Sequence, residues 1–480
     1  MDLGRRGSMA VAVGAVLLFG CLANLGSANF VLNVKHKFKE SERSLAAFKA
    51  HDARRHGRSL ASVDLPLGGN GSPTDTALYF AKIGIGSPPN DYYVQVDTGS
   101  DIMWVNCVGC DKCPTKSDLG VELKLYNPRA SSTGTWVTCD QDFCVETFNP
   151  TTCKVGEYCL YGVTYGDGSS SMGYFAKDNV QLDRASGNLQ TTPMNGSVSF
   201  GCGRKQSGQL GTSSQALDGI LGFGQANSSM ISQLASAGKV KKMFAHCLDG
   251  TNGGGIFAIG QLVQPKLKST PIVPNQAHYN VVLKALKVGH EVVQLPTGFL
   301  GLDVGRSMVI DSGTTLAYLE DDLYNPLMKK ILDAQPDLKL HTVEQQFTCF
   351  QFTGNVDDSF PAVTLSFDNS LSMTVYPREY LFRINDDVWC VGWQSGGMQS
   401  KDGKELNLLG DMVLSNKLVL YDLENQTIGW TEYNCSSSVK MRDQQTGAEY
   451  LVGPHDLSSA YTLIPGWTSM LLLLLAIWQS

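Results

Sequence analysis

One short pattern occurs twice in this chain and limits what it can fold into. Val94-Gln95-Val96-Asp97-Thr98-Gly99-Ser100 returns far downstream as Val309-Ile310-Asp311-Ser312-Gly313-Thr314. Each copy is an apolar strand end that runs into an aspartate, a hydroxyl residue and a glycine. Alone, such a tripeptide in a chain with 50 glycines is an ordinary turn. Here the surroundings repeat as well. An apolar pair and a glycine follow each aspartate, Ile220-Leu221-Gly222 after the first and Leu408-Leu409-Gly410 after the second, so an apolar strand can pass close beside each loop. The lead-ins Tyr79-Phe80-Ala81-Lys82-Ile83-Gly84 and Tyr279-Asn280-Val281-Val282-Leu283-Lys284 share a strand-like alternation. The pattern describes one unit used twice, with one aspartate per unit. Set face to face, two such carboxyls cannot both ionise freely: one keeps its proton and the other serves as a base.

On these motifs, with Trp104 seven residues beyond Asp97 and a Cys-rich stretch after it, the sequence resembles the pepsin-like aspartic proteases, in particular the plant nepenthesin-type branch. The resemblance runs from about Tyr79 to Asn434. It implies an all-β, bilobal pepsin-like fold, with two pseudo-twofold-related β lobes, few short helices and the active-site cleft between them. It implies Asp97 and Asp311 as a catalytic pair holding one water. Ser100 and Thr314 are expected to hydrogen-bond the outer carboxylate oxygens, and Gly99 and Gly313 to present amides to the carboxylates. Thr98 and Ser312 are expected to cross-link the two loops through hydroxyl-to-backbone bonds, the serine serving as well as the threonine.

Val163 to Ser169 reads as a strand entering a Gly-rich turn, and Met172-Gly173-Tyr174-Phe175 as the returning strand, with Asp167-Gly168 as the hairpin signal. By pattern this is a surface hairpin. The resemblance implies a flap that closes over substrate, with Tyr165, Gly166 and Asp167 facing the cleft and the Tyr165 hydroxyl bonded to the Trp104 indole.

The formal charge of −7 conceals an asymmetry, because residues 29–61 hold eight Lys or Arg against three acids. An acidic body behind a basic leader argues against nucleic-acid binding. Residues 1–28, with Arg5 and Arg6 before an apolar run and Gly26-Ser27-Ala28 at its end, read as a signal peptide. Residues 29–76 read as a prosegment and junction: a strand Phe30 to Val34, a helix from about Glu42 to Arg54, a cation among Lys35, Lys37 and Lys39 to neutralise the aspartates until acidification, and a loose stretch from Ala61 to Thr76 where maturation can occur. A solvated basic linker is the plainer alternative. The first lobe is expected over 77–260, with a short helix at Ser228 to Ala237 capped by Asn227 or Ser228. The inter-lobe linker is expected over 261–278. The second lobe is expected over 279–440, with a helix Tyr324 to Ala334 that carries Pro326 in its first turn.

Thirteen cysteines include Cys21 in the leader, and an even twelve remain: Cys107, Cys110, Cys113, Cys139, Cys144, Cys153, Cys159, Cys202, Cys247, Cys349, Cys390 and Cys435. Their early spacing is compatible with zinc. The even count and a secretory leader favour disulfides, and no metal or other cofactor is expected. The resemblance implies the pairs Cys107–Cys110, Cys113–Cys202, Cys139–Cys159, Cys144–Cys153, Cys247–Cys435 and Cys349–Cys390. Sequons at Asn70, Asn195, Asn227, Asn425 and Asn434 are glycosylation candidates. In the tail, 441–480, Ser458-Ser459-Ala460, a spacer and the apolar run Met470 to Trp478 match a GPI signal with attachment at Ser458, against a membrane-spanning helix as the alternative. The expected protein is thus an acid-active endopeptidase, monomeric, acting on proteins or peptides at the plasma membrane. An inactive cell-surface binding or inhibitor protein on the same fold is the alternative.

Overall fold

The computed structural model describes residues 60–148, 153–294, 307–344, 347–396 and 406–457. The expected signal peptide, the prosegment strand and helix with Lys35, Lys37 and Lys39, and Ser458 with the anchor signal lie outside them.

The repeat read from sequence is a repeat in space. The strand Asn90–Asp97 pairs antiparallel with Leu78–Ile85, Phe80 opposite Gln95, and parallel with Gly219–Gly222, which lies in turn antiparallel to Trp104–Asp111. In the second half Ser307–Ile310 pairs antiparallel with Asn280–Val288, Asn280 opposite Val309. It pairs parallel with Asn407–Leu409, which lies antiparallel to Ala317–Leu319. The registers coincide, so Gln95 corresponds to Val309, Asp97 to Asp311, and Gly222 to Gly410. The two glycines are needed where the parallel strand crosses each loop: a Cβ at Gly222 would lie 2.5 Å from the Asp101 carbonyl carbon, and one at Gly410 would overlap the carbonyl oxygens of Thr314 and Leu316. Strands outnumber helices throughout and form two β lobes, as the all-β, bilobal expectation requires.

A shared floor joins the halves. Met243–Leu248 of the first lobe pairs antiparallel with Lys417–Asp422 of the second, flanked by Gly255–Ile259 on one side and Thr427–Glu432 on the other. Its aromatic core includes Phe244 stacked on Tyr421 at 4.4 Å between centroids. Val63–Asp64 extends this floor by pairing with Gly255–Ile259, and Leu67–Asn70 pairs with Leu78–Ile85. Val63, Leu65 and Leu67 are fully buried. The loose junction expected from Ala61 onward is therefore sheet for its first half. Alternating apolar residues win over the local Gly, Ser and Pro content.

Both helices start away from their expected positions. The first spans Met230–Ser236 and is capped by Ser229, whose hydroxyl accepts from the Ser232 amide; Asn227 and Ser228 stand too far upstream to reach it. The second spans Asp321–Asp333, which places Pro326 in its second turn. It buries Leu323, Leu327, Met328 and Ile331, and this packing offsets the backbone bond that proline forfeits.

Four of the expected disulfides are replaced. Cys107 pairs with Cys202 because Trp104–Asp111 lies parallel beside Gln190–Ser207, which brings their Cα atoms to 5.4 Å. Cys110 and Cys113 then close a turn at that strand's end. The helix Asp142–Phe148 turns Cys144 inward onto buried Cys159, leaving Cys139 to Cys153. Cys247–Cys435 and Cys349–Cys390 form as expected, the second pair directly opposite on adjacent strands. The sulfurs of Cys139, Cys144 and Cys153 lie within 4.8 Å of one another, but all three are engaged in disulfides.

Beyond Cys435 the chain continues as a strap. Val439–Arg442 and Glu449–Val452 form a hairpin on Gln261–Gln264. The Gln444 amide donates to the Leu60 carbonyl at 3.0 Å and the Leu457 amide to the Leu67 carbonyl at 2.8 Å. Asp443 is fully buried and receives both Nε and a terminal nitrogen of Arg184. His455 Nε2 lies 2.9 Å from Asp64 Oδ1. This bond, aided by the charges of Asp64 and Asp183, raises the His455 pKa against the opposing effect of burial. A raised histidine pKa stabilises the fold fully below the unfolded value of about 6.5 and loses that contribution as pH rises through the folded value. His455→Ala should therefore lower the thermal unfolding midpoint more at about pH 5 than at about pH 9; an equal deficit at both would rule out the charged pair.

Candidate active site

Asp97 closes the strand Asn90–Asp97, and Asp311 follows directly on Ser307–Ile310, so each carboxyl is delivered by a strand whose neighbours fix its direction. Both are buried, at 6% and 5% exposure. The Gly99 amide donates to Asp97 Oδ1 at 2.8 Å and the Gly313 amide to Asp311 Oδ1 at 2.8 Å. The Ser100 hydroxyl donates to Asp97 Oδ2, and the Thr314 hydroxyl to Asp311 Oδ2 at 2.8 Å. The four residues expected to hold the carboxyls thus do so. The glycines also let the loops meet: a Cβ on Gly99 would come within 2.6 Å of Asp311 Oδ2, and one on Gly313 would overlap the Asp97 carboxyl. Each carboxyl thus lies against the glycine of the opposite loop.

The expected hydroxyl cross-link is one-sided. The Thr98 hydroxyl accepts from the Ser312 amide at 2.8 Å and donates to the Ile310 carbonyl at a long 3.5 Å. The Ser312 hydroxyl is buried without a hydrogen-bond partner among the described residues. Serine lacks the β-methyl that restricts threonine at χ1, so its hydroxyl is not held in the cross-loop rotamer. Beneath the loops, the buried Tyr421 hydroxyl lies within hydrogen-bonding reach of Thr98 and 3.2 Å from His246 Nε2.

Burial, followed by the neighbouring Asp311 charge, pushes the Asp97 pKa up; the hydrogen bonds from Ser100 and Gly99 oppose the rise without cancelling it. Burial also raises Asp311, against bonds from Thr314, Gly313 and Gly99. The Gly99 amide therefore serves both carboxyls. Such a pair titrates as a unit and holds one proton over a broad acid range. A third carboxyl, Asp411, is 1% exposed and pushed far up by burial and then by the charges of Asp311 and Asp97.

The strands Leu160–Thr164 and Ser170–Gly187 form a hairpin whose turn carries Tyr165. The Trp104 indole donates to the Tyr165 hydroxyl at 2.7 Å, as expected, and Tyr165 lies close enough to feel the Asp97 charge. Asp167 builds the tip by accepting from the Ser169 amide and hydroxyl at 2.9 and 2.7 Å, which leaves Gly166 and Asp167 exposed. An acid and a base in one buried pair can activate a water against a carbonyl.

Four residues at the site escaped sequence reasoning. Asp411 directly follows Leu408-Leu409-Gly410, and its position beside that motif was the available signal. Gln95, a polar residue on the strand that delivers Asp97, was another. Tyr421 and His278 reach the loops from distant parts of the chain and carry no local signal.

Comparison with known proteins places both halves of the chain. Residues 79–261 match the family model described as Xylanase inhibitor N-terminal, and residues 278–432 the one described as Xylanase inhibitor C-terminal. Aspartic proteinase 36 of Arabidopsis thaliana is 52% identical over 96% of this chain and 95% of its own length. Aspartic proteinase 39 of the same plant is 48% identical over 97% of this chain and 96% of its own. Among solved structures, Basic 7S globulin from soybean shares the fold with a TM-score of 0.60 at 21% identity, covering 78% of this chain and 96% of that one. With both halves matched, and about half of its residues shared with plant aspartic proteinases over nearly their full length, the chain belongs to the pepsin-like aspartic protease family of plants.

Proposed function

We propose that this protein is an aspartic endopeptidase that hydrolyses protein or peptide substrates at acid pH. The observation that carries the proposal is the pair itself: two buried carboxyls, each held on one oxygen by a glycine amide and on the other by a hydroxyl of its own loop, each lying against the glycine of the opposite loop. In the reaction a water lies between them. The ionised carboxylate takes a proton from the water as its oxygen bonds to the scissile carbonyl carbon, while the protonated partner stabilises the carbonyl oxygen. The tetrahedral species collapses as the amine leaves with a proton, and the pair returns to its one-proton state. No covalent intermediate and no metal takes part. The extended substrate lies strand-like between the lobes, under the flap with Tyr165.

The enzyme enters the secretory pathway as a zymogen and is held at the outer face of the plasma membrane by a GPI anchor near Ser458. Twelve cysteines paired as six disulfides support the oxidising compartment. The exposure of Asn195, Asn227, Asn425 and Asn434 supports glycan attachment. Asn70 is a poorer acceptor, since its amide is half-buried and donates to Asp75 at 2.6 Å. No described helix is long and apolar enough to cross a membrane. The xylanase-inhibitor descriptions of both family models favour one second reading, an inactive inhibitor or binding protein on this fold.

Asp97→Asn and Asp311→Asn should each reduce cleavage of an unfolded protein at about pH 3–5 by about 10²–10⁴-fold, within the range that general acid–base catalysis contributes. An active single variant would refute the mechanism, and an inactive wild type would favour the binding protein. Chelators should leave activity unchanged. Stability should fall as pH rises from about 4 to 7, because the Asp97–Asp311 pair, Asp411 and Asp218, the last raised by burial to about 6, retain protons there that the unfolded chain releases. Buried His246, pushed down to about 3 by desolvation, opposes this with the reverse sign below its unfolded value of about 6.5, while His455, raised by its bond to Asp64, acts in the same direction as the carboxyls. The midpoint of thermal unfolding should therefore be higher at about pH 4.5 than at about pH 7.5, and the opposite order would refute the assignment. Phosphatidylinositol-specific phospholipase should release the protein from intact cells; retention would point to a spanning tail.

A further inference from the structure

The half-made cross-link between the aspartate loops leaves their separation to other contacts. Two side chains cross the gap onto equivalent atoms. Gln95, on the strand that delivers Asp97, donates through Nε2 to the Gly313 carbonyl of the opposite loop at 3.1 Å. His278, at the entry to the second lobe, lies with Nδ1 3.0 Å from the Gly99 carbonyl; since a carbonyl only accepts, the imidazole carries its proton on that nitrogen. The pseudo-twofold axis exchanges Gly99 with Gly313, so both loops are gripped at the same carbonyl. It does not exchange the grips. Val309 occupies the position equivalent to Gln95 and has no donor, and Leu78 occupies the one equivalent to His278. One geometric need is therefore met twice by unrelated residues, which incidental packing of a symmetric scaffold does not produce.

Resting on the protease reading above, we propose that Gln95 and His278 are crossed positioning residues, each holding the active-site glycine carbonyl of the other loop and together setting the gap between the two carboxyls. The mechanical link is the peptide plane. The Gly99 carbonyl belongs to the same rigid unit as the Ser100 amide, and that amide is one of the donors that faces Asp97. A donor on the carbonyl fixes the plane and strengthens the amide at its other end. His278 is itself held from the first lobe, since Gln225 Nε2 donates to the His278 carbonyl at 2.5 Å and the neighbouring Tyr279 hydroxyl to the Phe223 carbonyl at 2.6 Å. The grip on Gly99 thus closes a loop of contacts between the lobes. A misplacement of either carboxyl affects the chemical step, which requires both to reach one water, more than it affects the binding of an extended peptide along the cleft.

The test uses the full, acid-activated chain, with kcat expressed per active site titrated by pepstatin. Gln95→Met keeps the shape and removes the donor, His278→Leu removes the donor, and His278→Asn restores one near the position of Nδ1. Gln95→Met and His278→Leu should each lower kcat by about tenfold, the worth of one well-placed hydrogen bond, with KM changed far less. His278→Asn should stay within about threefold of wild type, and the double variant should lose less than the product of the single losses, because both set one gap. Single variants with wild-type kcat, or His278→Asn as impaired as His278→Leu, would overturn the clamp while leaving the protease reading intact. A wild-type chain that titrates with pepstatin but hydrolyses nothing would overturn the protease reading and the clamp's role with it.

Discussion

Burying two carboxyls within reach of one another is unfavourable twice over, because each loses hydration and each repels the other's charge. The rest of the molecule is arranged so that this pair persists. Asp97 and Asp311 stand at the ends of strands locked by parallel neighbours, and the Gly99 and Gly313 amides, with Ser100 and Thr314, take up the carboxyl oxygens. These bonds favour the charged forms but do not outweigh burial, so the pair retains a proton that two solvated aspartates would release. A tighter set of donors would ionise both groups, and a looser one would leave neither fixed.

The scaffold is symmetric and its contents are not. Thr98 cross-links the loops while the Ser312 hydroxyl is idle; Gln95 donates to the opposite loop where Val309 cannot; Phe223 occupies the position that Asp411 fills in the other half. Two equivalent carboxyls in equivalent surroundings would share a proton evenly. Burial is the chief cause of the raised pKa at both carboxyls, but the side chains around them differ. A duplicated fold places the two groups, and divergence between the copies differentiates them.

The family match ends at residue 432, yet the described chain runs on to 457 as an ordered strap. Its contacts fall on the first strands of the described chain: Gln444 on Leu60, His455 on Asp64, Leu457 on Leu67. The buried Asp443 is stabilised by both Arg184 nitrogens, a geometry in which removing either partner leaves an uncompensated charge. The strap thus ties the segment that precedes the proposed anchor to the opening strand of the first lobe.

The duplicated aspartate loops, their lead-in strands, the crossing Leu-Gly strands and the flap hairpin were legible in the amino-acid order, because each is carried by side-chain alternation and turn chemistry within a few residues. Those features determine a two-lobed β protein with one carboxyl per half. What the order of residues left open depends on partners brought from far away. Cys107 reaches Cys202 only because two strands 95 residues apart lie side by side. Val63 and Leu67 become core only when the floor and the strap cover them, and Ser312 fails as a cross-link only in the rotamer its surroundings leave it. Gln95 and His278 meet their glycine carbonyls only once the lobes close. Periodicity and turn residues act through neighbours along the chain and can be read there, whereas disulfide choice, burial and cross-lobe hydrogen bonds are relations between surfaces that exist only after the chain has packed.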